Sequence, residues 1–260
     1  MQIESYGEAL AYDAAFWMAG LRDPETALEE LGELSQQVSK RLRALAIITL
    51  LVKARNDLFA HNLIRSGRVR LHYLERLAAA GIEDDHHQAS GRSRGFVDAL
   101  AAGDIELCRK IAAVSRAELH TGHEYEDDYS FAQILHRLVR RVAGDRPAIE
   151  AEIGSLLERW KEYRSDDPRL GVVRALSTRD ATAFDEAFDE LLLARNEEIA
   201  AAKARGELED PIVVAERNVY VEGLALLRLA DLAGIPTEDE YRLCPSLARV
   251  PLASRPPEDE

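Results

Sequence analysis

His120, His123, Glu124, Glu126, Asp127 and Asp128 share the short segment HTGHEYEDDY, residues 120–129. Imidazoles and carboxylates are metal-ligand types, so a divalent cation is the first chemistry to weigh. The spacing His-x-x-His-Glu differs from the His-Glu-x-x-His of a zinc helix, which sets two imidazoles on one face. The segment also runs straight into an apolar-periodic stretch, Phe131, Ile134, Leu135 and Leu138. Acids at a helix N-terminus are favoured by its dipole. The expected role of these acids is therefore to cap a helix or to face a partner, and no metal site is expected. His86 and His87 lie in the polar, aperiodic stretch Glu83 to Arg94 and are expected in solvent. Cys108 and Cys244 are far apart, each among apolar residues, and are expected as buried free thiols. Glycine-rich phosphate loops, a Gly-x-Ser-x-Gly elbow and a Cys/His pair at plausible spacing are absent from the sequence. Neither a catalytic residue nor a cofactor is expected.

The chain has 260 residues, 47% of them apolar, with 47 acids against 33 bases. A net charge of −14 argues against nucleic acid as a partner, because phosphates need a basic surface. It suits a basic protein partner or plain solubility. The acidity is uneven: residues 185–260 hold 18 acids and 8 bases, and the rest 29 and 25. The longest apolar run, Ala44 to Val52, is bounded by Arg43 and Lys53 and is too short for a bilayer. With no basic region and apolar run at the start, the expectation is a cytoplasmic protein with no membrane contact.

Helices must position all of this. Strand-like alternation is missing, and Ala, Leu, Glu and Arg favour helix. The first helix is placed at 6–19 with Leu10, Phe16, Trp17 and Met18 inward. Asp23-Pro24 reads as a cap opening a helix over 24–35. Residues 37–65 follow as one helix or two, with a bend at Asn56-Asp57. Ser66-Gly67 reads as a break before Val69 to Ala80. Further helices are expected at 129–143, 147–163 and 180–204, with Trp160 in the core. Residues 96–113 and 172–189 share an Ala-Leu-x-x-x-Asp turn in which the aspartate caps the next helix, as in stacked hairpins. The apolar helix 219–233 should end at Gly234, with Tyr241, Leu243, Leu247 and Val250 packing back over it. The fold class is all-α, packed antiparallel helical hairpins in a bundle or repeat-like array of ten to twelve helices. The expected domains are an N-terminal helical subdomain (1–82), a polar loop (83–95), a C-terminal helical domain (96–252) and a disordered tail (253–260).

Two stretches carry a resemblance. Glu222 through Gly234-Ile235-Pro236 to Tyr241 and Pro245-Ser246-Leu247 resembles the C-terminal signature of the immunity-49 family of bacterial polymorphic-toxin antidotes. Glu124-Tyr125-Glu126-Asp127-Asp128-Tyr129 resembles the acidic stretch common in that family. The resemblance spans roughly residues 90–252. It implies an immunity protein that binds and neutralises a cognate toxin effector by protein–protein contact, without doing chemistry. The alternative reading of the residues is a helical-repeat adaptor for another protein partner. The candidate partner-binding residues are Glu124, Glu126, Asp127 and Asp128, with Glu238, Asp239 and Glu240.

Overall fold

The computed structural model describes residues 2–141, 146–206, 210–252 and 256. Among them there is helix and no strand, apart from one isolated bridge between Tyr241 and Cys244. The eleven α-helices are α1 (Gln2–Arg22), α2 (Leu28–Lys53), α3 (Asn56–Ala80), α4 (Arg94–Ala101), α5 (Ile105–Val114), α6 (Glu126–Arg141), α7 (Arg146–Tyr163), α8 (Pro168–Thr178), α9 (Ala181–Ala204), α10 (Pro211–Glu216) and α11 (Val221–Ala233). The fold is all-α, as the sequence pattern requires. The tail expected at 253–260 lies outside the described residues apart from Pro256, whose carbonyl accepts from Arg68.

Side-chain caps fix where many helices begin. Asp104, Asp167, Asp180 and Asp210 each accept a backbone N–H from the first turn of α5, α8, α9 and α10. Each such cap satisfies a donor that the helix itself cannot pair. Pro168 and Pro211 occupy first helical positions, where a missing N–H costs nothing. The shared turn of the two hairpins is real. Asp104 N–H donates to the Ala99 carbonyl and Asp180 N–H to the Ala175 carbonyl, both at 3.0 Å. A left-handed residue precedes each aspartate, Gly103 at φ +81° and Arg179 at φ +59°. The surroundings of the two turns differ. Beyond its hairpin partner α5, helix α4 packs on α3, α11 and α2, whereas α8, beyond α9, packs on α6, α7 and α11.

The N-terminal elements depart from expectation in four ways. Asp23 holds only a turn, accepting the Glu25 N–H, and α2 then runs unbroken from Leu28 to Lys53. The real reversal is at Ala54, left-handed at φ +50°. Helix α3 passes straight through Ser66-Gly67. A Cβ on Gly67 would stand 2.8 Å from both Ala99 Cβ and Leu107 Cδ2, so this glycine admits α4 and α5 rather than breaking α3. Gly95 is its counterpart on α4, where a Cβ would sit 2.6 Å from the Ser66 carbonyl. Phe16 is 65% exposed, because the inward row of α1 is Leu10, Ala14, Met18 and Leu21. Trp17 is partly covered, with the Arg41 guanidinium 5.2 Å from its ring centre.

A polar lattice ties these helices across the core. Asp98 on α4 is fully buried between Arg43 of α2 (2.5 Å) and the Ser66 hydroxyl of α3 (2.5 Å). Arg70 of α3, also buried, donates to the carbonyls of His87, Gln88 and Ala89. That grip folds 86–88 and 90–92 into 3-10 turns and buries His87, correcting its placement in solvent. Burial and the neighbouring His86 hold the His87 imidazole below its ordinary pKa. Trp160, Cys108 and Cys244 are buried as expected, both thiols free. At the C-terminus Gly234 ends α11 in the left-handed region at φ +74°. Tyr241, Cys244 and Ala248 pack inward, while Leu247 and Val250 stay exposed. None of the helices is long and apolar enough to cross a membrane among the described residues.

Candidate partner-binding site

The acids of residues 124–128 open α6, and the structure gives each one a partner. The Glu124 carboxylate accepts two backbone N–H groups, from His120 at 2.9 Å and Gly91 at 2.7 Å. Glu126 receives Arg159 of α7 through Nε at 2.5 Å and Nη2 at 2.7 Å. Asp127, 5% exposed, receives Arg164 at 3.0 Å. Asp128 receives Arg169 of α8 at 2.9 Å. The positive end of the α6 dipole adds to this field. The run is a latch between α6 and the α7–α8 corner.

Arg169 is the centre of that corner. It also grips Asp167, with Nη2 to Oδ2 at 2.7 Å, while its guanidinium lies 5.0 Å from the Phe131 ring centre and 5.6 Å from that of Trp160. Burial works against its charge. The Asp167 hydrogen bond and the fields of Glu222 and Asp167 more than offset it, so the guanidinium holds its proton harder than usual. Glu222 opens α11 and accepts the Tyr220 hydroxyl at 2.8 Å. Two clefts of about 360 and 330 Å³ meet here, both lined by Arg169 and Glu222. Arg43, Arg94 and Asp128 line the first, and Arg164 and Arg195 the second. Arg94 is paired with Glu216, so the charges in these walls largely answer one another.

The second set of candidates lies elsewhere. Glu238, Asp239 and Glu240 are exposed in the loop after α11. Glu240 accepts both the N–H and the hydroxyl of Ser246, which lowers its pKa. The loop is held by Tyr241, whose hydroxyl accepts the Glu238 N–H at 2.9 Å, and by Arg249, which donates to the Glu238 carbonyl. Tyr241 packs edge-on to Phe188 of α9 at 5.0 Å. Its phenol pKa is raised first by burial and then by the charges of Asp185 and Glu238, with Arg249 opposing them. Glu186, Glu190, Leu193 and Glu197 follow helical spacing along α9 and all are exposed, Leu193 by 61%. An exposed leucine among carboxylates offers apolar surface for a partner to bury once the charges have drawn it in.

The structure therefore does not gather the candidate residues into one patch. Sequence reasoning missed the arginines that hold the first group. Their only trace is a five-residue spacing, Arg159, Arg164 and Arg169, in a stretch read for its apolar face. It also missed Asp84, which contacts His120 at 2.8 Å from 36 residues away.

The family model described as Immunity protein 49 matches residues 15–248. No curated protein and no solved structure matches the chain.

Proposed function

The chain belongs to the immunity protein 49 family, and from that membership we propose that it is an antidote that neutralises a cognate bacterial toxin by binding it in the cytoplasm. The observation that carries this reading is the extent of the match, residues 15–248, which takes in α2 and α3 as well as both acidic stretches. Its mode of action is contact rather than catalysis: the bound antidote covers the toxin's active site or holds it in an idle conformation. The exposed acids of α9 with Glu238 and Asp239 form the approach surface, suited to a basic toxin. Glu124, Glu126, Asp127 and Asp128 serve the same contact indirectly, by setting the angle of α6 against α7 and α8.

Co-expression with the toxin encoded beside this gene tests the reading. The toxin alone should arrest growth, the pair should grow, and the two proteins should co-purify. Continued arrest with the antidote abundantly expressed would overturn it.

A further inference from the structure

We propose that Asp84, His120 and His123 form a binding site for a divalent transition-metal ion, zinc above all. Each of these side chains offers one ligand atom, and the three atoms lie within 4.8 Å of one another. Ligand atoms on a tetrahedral zinc at 2.0–2.2 Å stand on the order of 3.4 Å apart, so small rotamer changes close the set. Two imidazoles with one carboxylate suit zinc and its neighbours, whereas magnesium and calcium prefer all-oxygen shells. Three protein ligands leave a fourth position open, and His86 is the next imidazole, its ring 6.1 Å from that of His123.

The backbone holds this group in place before any ion arrives. Gly122, left-handed at φ +84°, allows the tight turn in which His123 N–H donates to the His120 carbonyl at 2.9 Å. That turn sets the two rings 4.3 Å apart. Glu124 fixes it from below through its bonds to His120 and Gly91. On the other side Arg116 donates to the Glu83 carbonyl and Gln88 to the Ile82 carbonyl, which positions Asp84. His120 is 4% exposed, and its Nδ1 is buried with no hydrogen-bond partner among the described residues. An Asp84–His120 pair alone explains one contact, but it gives no reason for the His123 ring to lie tilted against that of His120. The sequence pattern argued against a metal because His-x-x-His-Glu is not the spacing of a zinc helix and the acids from Glu124 to Asp128 suit a helix start. The structure turns those acids elsewhere and supplies Asp84 instead. A bound ion would staple the end of α3 to the turn before α6.

Zinc titrated by calorimetry into the chelator-treated full chain should bind saturably, one ion per chain, and magnesium should not. At a hundredfold excess over its Kd, zinc should raise the melting temperature by roughly 5–10 °C. Asp84 and His123 are exposed, so Asp84→Asn and His123→Ala should fold. Each should weaken zinc binding by more than about 100-fold, beyond the roughly 10–100-fold loss seen when a metal ligand's outer partner is removed. His86→Ala should keep the stoichiometry. No saturable binding up to about 1 mM zinc, or binding that survives both substitutions, or binding that follows His86 and His87 instead, would overturn the site.

Discussion

His136 shows how one buried residue can set the acid limit of the whole fold. It sits on α6, fully enclosed, with its ring 4.4 Å from Phe96 and its Nε2 without a hydrogen-bond partner among the described residues. Burial first, then the fields of Arg70, Arg137 and Arg140, lower its pKa to about 3. In the unfolded chain the same imidazole titrates near 6.5. A depressed folded pKa means that the stability His136 allows is complete above about pH 6.5 and is lost as pH falls toward 3. Over that window the unfolded state takes up a proton that the folded state refuses, at about 1.4 kcal/mol per pH unit. Urea denaturation of the wild type at pH 7.5 and 5 should show that slope. In His136→Gln the slope should be smaller by about one proton. An unchanged slope would place the acid sensitivity elsewhere, with His72 and His87, both also held below their ordinary pKa, as the next groups to examine.

At the scale of elements, two glycines on helices ask opposite things of a methyl group. Alanine at an exposed helix position gains roughly 0.5–1 kcal/mol over glycine. Gly154 on α7 has open space around its Cβ, so Gly154→Ala should stabilise by about that amount. Gly67→Ala should instead destabilise by about 1–3 kcal/mol, because its methyl meets Ala99, Leu107 and the Gly95 carbonyl within 3.1 Å. Thermal melting of the two variants side by side checks both signs. The contrast also marks what the sequence could reveal. Local signals were legible: Asp104 and Asp180 as caps, Gly234 as a stop, the inward face of α11, the core place of Trp160. A helix whose glycine is a packing surface looks in sequence like a helix that stops, so α3 was divided at Ser66-Gly67. The α1–α2 region misled for a similar reason. Asp23-Pro24 is a good cap by type, but Thr26 and Ala27 intervene before helix resumes. Long-range partners left no local trace at all. Arg70 reaches carbonyls 17 to 19 residues on, and Asp84 meets His120 only after α4 and α5 have been laid down between them. Charge read along the chain counted acids without their arginines, so the run at 124–128 read as a helix cap or a partner-facing surface rather than as a latch.

For the molecule as a whole, the two acidic groups should answer differently when a toxin approaches. Exposed charge accelerates encounter, and salt screens it over a Debye length of roughly 8–10 Å. Glu238 and Asp239 are exposed, whereas Asp128 is engaged with Arg169. Reversing Glu238 and Asp239 to lysine should lower the association rate with a basic cognate toxin and flatten its dependence on salt. The melting temperature should hardly move, since few bonds of the fold depend on those two carboxylates. Asp128→Lys should do the reverse. It sets a cation against Arg169 in a partly buried corner, so stability should fall first, with any loss of binding following from loss of fold. Leu193→Asp should leave the association rate nearly intact and speed dissociation, because an apolar anchor acts after contact is made. Stopped-flow association at low and high salt, read beside melting curves for the same variants, separates these cases. An association rate indifferent to salt and to the Glu238/Asp239 reversal would remove the acidic approach surface and leave apolar contact as the means of binding.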